Sequence, residues 1–186
     1  SKIINRHAIR VDFLNATANA INGEERLPHY YNFFNGNDAS LWKGEVPTYN
    51  KIIYTQLYPG VSAHVYPSTN GGLKYDFMVS AKASTQLIKL QYSGADKLKL
   101  KNGNLVIKTS VNTFTETQPY AYQIINGIKQ EVICNFVLNK NIVSFEVGDY
   151  NPNYTLIIDP ELIFSTYSGS SVDNFGHTAT YDNNGN

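Results

Sequence analysis

Side chains able to break bonds or hold metals are sparse in this chain, and their spacing limits what they can do. The four histidines, His7, His29, His64 and His177, stand far apart, none at ligand spacing from another. His64 lies between Ala63 and Val65 in an apolar run, the setting of a structural histidine rather than a zinc ligand. Cys134 is the single cysteine, so neither an internal disulfide nor a cysteine metal site is available. It shares an alternating face with Val132, Phe136 and Leu138, which predicts a buried apolar residue and not a nucleophile. Glycoside hydrolysis needs two carboxyl groups drawn together from distant positions, and Asp76, Asp149, Asp159 and Glu161 are the candidates. Gly169-Ser170-Ser171 lacks the strand-turn-helix context of a nucleophile elbow. Asp182-Asn183-Asn184-Gly185-Asn186 has the start of a calcium loop without its distal acid, and reads better as a turn. Asp38, before Ala39-Ser40-Leu41, suits the cap of a single helical turn better than a metal carboxylate. The expectation is a protein without catalytic, metal-binding or cofactor-binding residues, and so not an enzyme.

The residues around these groups belong to turns and strands. Asn-Gly occurs six times, at Asn22-Gly23, Asn35-Gly36, Asn70-Gly71, Asn102-Gly103, Asn126-Gly127 and Asn184-Gly185. Both residues accept positive φ cheaply, as a two-residue type I′ hairpin turn requires. Between the pairs run short stretches rich in Val, Ile, Tyr, Phe and Thr, the residues that suit a pleated, half-buried surface. The clearest hairpins centre on Asn102-Gly103, between Lys97–Lys101 and Asn104–Thr109, and on Asn126-Gly127, between Tyr120–Ile124 and Ile128–Leu138. Pro59-Gly60 signals a further type I or II turn. His7–Leu14 and Tyr30–Phe34 read as strands, Asn15–Arg26 as a polar connection. Leu73, Tyr75, Phe77 and Val79 fall on one strand face, with Lys74 and Asp76 on the other, placed to pair across a strand. Trp42 reads as a core anchor beneath the Asp38 turn. No window keeps a helical period, and strands recur about every ten residues. The expected fold is all-β: an antiparallel, sandwich-like domain over residues 1–160 with one or two packed sheets.

Composition narrows the partners. The chain has 186 residues, with 15 Lys and Arg against 15 Asp and Glu, so it has no net charge to attract nucleic acid. Lys97, Lys99 and Lys101 alternate with Leu98 and Leu100 as the wet face of a strand does. Fourteen tyrosines carry much of the polarity and suit a wet boundary. No run is apolar and long enough for a membrane helix, and Ser1–His7 has no signal-peptide core. Asn15-Ala16-Thr17 and Asn153-Tyr154-Thr155 match the N-glycosylation pattern.

After Leu156-Ile157-Ile158-Asp159-Pro160, the segment Ser165-Thr166-Tyr167-Ser168-Gly169-Ser170-Ser171, with Asp173 and Gly176 and then Asp182-Asn183-Asn184-Gly185-Asn186, resembles the opening of a bacterial seven-bladed β-propeller repeat. Ser168 and Ser170 depart from the Leu and second Gly often found there. The preceding body is similar to the module that commonly stands before such repeats. Its pieces here are Gly36-Asn37-Asp38 with Trp42, Val46-Pro47-Thr48-Tyr49, Leu57-Tyr58-Pro59-Gly60-Val61, Leu73-Lys74-Tyr75-Asp76-Phe77, Gly94-Ala95-Asp96 and Pro119-Tyr120-Ala121-Tyr122-Gln123. The resemblance implies a secreted or cell-surface bacterial protein of the type IX secretion, gliding-motility-associated kind, adhesin-like, with residues 161–186 beginning a propeller-type repeat. It further implies that the chain is part of something longer. The expected partners are downstream repeats of the same polypeptide, secretion or anchoring components, and surface glycans. It offers no catalytic residues to carry over. The resulting expectation is a structural module that caps or presents a repeat array. The alternatives are a carbohydrate-binding module using exposed Tyr and Trp, and a hydrolase with dispersed carboxylates.

Overall fold

The computed structural model describes residues 7–68, 73–160 and 162–163. Within them are fifteen strands: β1 (Arg10–Phe13), β2 (Ala20–Phe33), β3 (Lys43–Tyr58), β4 (Val61–Pro67), β5 (Leu73–Val79), β6 (Leu90–Ser93), β7 (Lys97–Lys101), β8 (Asn104–Lys108), β9 (Thr113–Glu116), β10 (Tyr120–Ile125), β11 (Ile128–Val132), β12 (Cys134–Asn139), β13 (Ile142–Val147), β14 (Leu156–Asp159) and β15 (Leu162–Ile163). Two single-turn 3₁₀ segments, Ala39–Leu41 and Thr85–Leu87, complete the regular structure. The strands form three sheets, ordered β1-β6-β13-β12, β11-β10-β14-β5-β4-β3-β2 and β15-β9-β8-β7. Every pairing is antiparallel. The chain is thus all-β and sandwich-like, as its alternation predicts. Of the repeat expected at 161–186, all but Leu162 and Ile163 lies outside the described residues, including His177, Gly169-Ser170-Ser171 and Asp182–Asn186. So do Glu161, Asn70-Gly71 and Asn184-Gly185.

Period-2 alternation explains where the core sits. Phe77 and Val79 of β5, Val61 and Ala63 of β4, Ala121 of β10, and Leu156 and Ile158 of β14 point inward from the seven-stranded sheet. They meet Leu90, Tyr92, Cys134, Phe136, Val143 and Phe145 from the first sheet, and Leu105 and Ile107 from the third. Phe77 packs edge-on against Phe145 at 5.7 Å and Phe13 at 5.9 Å, joining the seven-stranded sheet to the first sheet through ring quadrupoles. Cys134 is buried in this cluster, and desolvation pushes its thiol up to about 12, as an inert apolar cysteine requires.

The turns separate into those that chain chemistry alone decides and those that packing decides. Asn102-Gly103 and Asn126-Gly127 have positive φ at both residues, the type I′ signature. Pro59-Gly60 closes β3 onto β4 with φ +73° at Gly60 only, which makes it type II. Asn22-Gly23 breaks the expectation: it lies inside β2, and Ala20–Arg26 is strand rather than a polar connection. Gly23 serves there as a gap, since an added Cβ would sit 2.4 Å from the Tyr49 ring that lies over it. Ile128–Leu138 also differs from the single strand expected. It divides at Ile133, whose carbonyl accepts from Gly148 N–H, and β11 and β12 join different sheets. Asp38 caps its turn as predicted, accepting from Ser40 N at 3.0 Å and Ser40 Oγ at 2.7 Å. These bonds hold its carboxyl below the usual range.

Trp42 is not a core anchor. It is 39% exposed, donates Nε1–H to the Gly36 carbonyl at 3.1 Å and lies edge-on to Phe34. It belongs to an arm formed by the outer parts of β2 and β3, where almost every β2 side chain is exposed.

One buried amide organises the approach to β14. Gln123, 2% exposed, donates Nε2–H to the carbonyls of Asn151 (2.8 Å) and Tyr154 (3.1 Å), and its Oε1 accepts from Asn151 N (2.8 Å). Replacing it by Leu orphans three backbone groups. Gln123→Leu is expected to cost about 3 kcal/mol, lowering the melting midpoint by roughly 6–12 °C in a thermal scan.

Candidate functional site

The alternation that sends Phe77 inward sends its neighbours to the outer face of the seven-stranded sheet. Lys74 and Asp76 of β5 stand there beside Asp159 of β14, His64 and Tyr66 of β4, and Lys51 of β3. His64 pairs with Asp76 and Tyr66 with Lys74 across β4 and β5. Asp159 lies one residue beyond the Ile158–Phe77 pair, opposite Asp76. Two of the four carboxylate candidates, Asp76 and Asp159, are therefore brought together. Asp149 is exposed in a loop elsewhere.

Beside them lies a shallow, open groove of about 420 Å³, lined by Glu25, Asn50, Lys51, His64, Tyr66, Pro67 and Asp76. Tyr66 donates its hydroxyl to Asp76 Oδ2 at 2.7 Å. Lys74 Nζ lies 2.9 Å from Asp159 Oδ1 and 3.1 Å from Oδ2. Lys51 pairs with Glu24 at 3.1 Å on the far side. Burial, which outweighs the Tyr66 hydrogen bond and is reinforced by the Asp159 charge, raises Asp76 to about 6. Burial also raises Tyr66 above its ordinary value, with Asp76 adding to the effect. Desolvation, with Lys51 nearby, lowers His64 and favours the neutral ring.

This arrangement can share a proton between two carboxyls, as acidic dyads do. Asp76 and Asp159 stand directly opposite each other on neighbouring strands, with no cleft between them to seat a sugar ring. The remaining histidines are apart from it. His7 is bound by Ser110 through Nδ1 (2.9 Å) and by the Gly94 carbonyl through Nε2, while His29 lies edge-on to Tyr31 on the arm. Among the described residues no group of three or more His, Cys, Asp or Glu is placed to hold a metal. Lys97 and Lys99, on edge strand β7, form a wet face with Lys108, as the alternation predicts.

Glu116, which no sequence pattern singled out, is 1% exposed, the most buried carboxyl group among the described residues. Its Oε1 accepts from Tyr92 OH at 2.5 Å and its Oε2 from Tyr75 OH at 3.1 Å. Tyr92 comes from β6, Tyr75 from β5 and Glu116 from β9, one from each sheet. The available signal was a lone acid closing Thr113-Phe114-Thr115-Glu116 in a chain with many tyrosines. Both tyrosine bonds favour the carboxylate, but desolvation outweighs them and raises Glu116 to about 7.

Fold and site together define an all-β domain with a polar outer face. Over residues 1–161 the chain matches the family described as a domain of unknown function, DUF7948, and it belongs to that family. No curated protein and no solved structure matches it. The family's description names no activity. Among the described residues, no helix is long and apolar enough to cross a membrane.

The Glu116 shift fixes a sign for pH dependence. Between an unfolded value near 4.5 and about 7 the folded state holds the extra proton. Stability from this group is therefore full below pH ~4.5 and falls by roughly 3 kcal/mol as pH rises through 7. In Glu116→Gln, which keeps the shape and one acceptor oxygen, denaturant midpoints measured from pH 4.5 to 8 are expected to lose that slope.

Proposed function

We propose that this domain is a non-catalytic structural module at the N-terminus of a large secreted or cell-surface bacterial protein, where it presents the repeat array that follows. The observation that supports this most is how the chain reaches its C-terminal side. β14 lies in the middle of the seven-stranded sheet, between β10 and β5, and β15 then adds to β9 of the third sheet. A pull on downstream residues passes through edge strand β15 to β14, which is paired on both sides in the body. The buried polar groups also serve internal ends: Glu116 is spent on two tyrosines and Gln123 on a loop. The segment from Ser165 that resembles a propeller repeat supplies the proposed cargo, and the type IX and gliding-motility setting follows from the same resemblance. Antibody labelling of intact cells tests the reading. Surface-exposed antigen on a polypeptide much larger than 20.8 kDa is the expected result. A 20.8 kDa intracellular protein would overturn it.

A second reading, carbohydrate binding, draws on the arm. Tyr30, Tyr31, Phe33 and Phe34 are each about half exposed, and Trp42 presents part of its indole beside them. Exposed rings on a rigid ribbon are able to stack on sugar faces. Trp42→Ala leaves the core untouched, so its melting midpoint should stay within about 2 °C of the parent. On a glycan array, binding by the parent and at least tenfold weaker binding by Trp42→Ala would favour this second reading; an array silent for both removes it.

A further inference from the structure

Lys74, Asp76 and Asp159 are arranged for more than an ion pair. Lys74 Nζ contacts both carboxylate oxygens of Asp159, at 2.9 and 3.1 Å, with only about a fifth of either side chain exposed. Two oxygens at that range bring the carboxyl carbon between them to near-attack separation, ~3–3.5 Å. Asp76 Oδ1 is buried without a hydrogen-bond partner, and the Lys74 ammonium is the contact on the buried Asp159 Oδ1. A single proton held between the two acids would satisfy Asp76 Oδ1, and Tyr66 already fixes the other Asp76 oxygen at 2.7 Å.

From this geometry we infer that Lys74 and Asp159 condense to an intramolecular isopeptide bond, with Asp76 as the proton carrier. The step balances without any outside reagent. Lys74 ammonium gives a proton to the Asp159 carboxylate, leaving an amine and a carboxylic acid. The amine nitrogen attacks Cγ of Asp159 after rotation about its soft terminal torsion, and Asp76 protonates the carbonyl oxygen as it becomes tetrahedral. Asp76 then takes the surplus proton from nitrogen, returns it to the departing hydroxyl, and recovers its first proton from the carbonyl oxygen as the C=O double bond re-forms. One C–N bond forms, one C–O bond breaks, one water leaves and no atom changes oxidation state. The product is a neutral amide where two charges stood half-buried. It staples β14 to β5 at the centre of the largest sheet, covalently reinforcing the strand that carries load in the proposed surface role, though the chemistry stands independently of that role.

Intact-mass measurement of the folded full chain, kept at neutral pH, tests the inference. The expected result is a mass one water below that of the sequence, with a branched tryptic peptide joining Lys74 to Asp159. Lys74→Arg keeps the ion pair but cannot close the same amide, and should show the unshifted mass with an unchanged circular dichroism spectrum. Asp76→Asn should remain folded and unlinked, because it keeps the shape but cannot relay the proton. A folded parent protein at its full sequence mass overturns the inference. So does a water loss mapped to other residues, or one that persists in Lys74→Arg. A cross-link that forms at the parental rate in Asp76→Asn removes Asp76 from the mechanism.

Discussion

The carboxyl group of Glu116 is where the three sheets meet. Tyr75 reaches it from the seven-stranded sheet, Tyr92 from the first, and Glu116 itself stands on the third. Burying an acid is costly unless its lone pairs are filled, and two phenolic donors from opposing sheets fill them here. The arrangement constrains more than its own residues. Glu116 pairs in register with Leu105, which is completely buried, and with Leu162 of β15, so displacing its carboxyl would disturb the third sheet and the chain's onward path together. Directional bonds at one point give three sheets a common alignment that apolar contact, which has no preferred direction, leaves loose.

Around that point the core and the outer face follow opposite rules. Inside, aromatic and branched side chains from all three sheets interdigitate, with Phe77 touching both Phe13 and Phe145. Outside, the same strands present Lys51, His64, Tyr66, Lys74, Asp76 and Asp159 as a polar face held by the pairs Lys51–Glu24, Lys74–Asp159 and Tyr66–Asp76. Lys129 adds a cation over the Tyr122 ring at 3.9 Å, at the edge of the same sheet. A sheet seven strands wide has room for such a face, and its middle strands are sheltered enough for the Asp76 and Asp159 oxygens to lose contact with water. The arm of β2 and β3 is different again. Its exposed rings have no opposing layer to pack on, so its shape rests on backbone pairing and on local contacts such as Tyr49 over Gly23.

The expectations drawn from particular residues fared according to how local their physics is. Asn102-Gly103, Asn126-Gly127, Pro59-Gly60 and the Asp38 cap were legible because a turn or cap is decided by a few neighbouring dihedrals and hydrogen bonds. Asn22-Gly23 carried the same local signal and still became strand, because Tyr49 from β3 needed the space that a side chain would have occupied. Ile128–Leu138 looked like one strand, since alternation does not record that the chain changes sheet at Ile133. Trp42 was misplaced for a similar reason: its bulk suggests burial, but no second sheet covers the arm. Of the candidate acids, Asp76 and Asp159 were legible only as two among four; their adjacency depends on β5 and β14, nearly eighty residues apart, lying side by side.

By itself the sequence determined the all-β class, the inward and outward assignment of most strand residues, the tight turns, and the inert character of Cys134. These follow from φ preferences and period-2 alternation, which act over a few residues. Only the tertiary structure decided the strand order, the three-sheet junction at Glu116 and the meeting of Lys74, Asp76 and Asp159. Those features depend on which distant strands pair, and pairing is settled by the joint burial of many side chains at once, a quantity that no short stretch of chain contains.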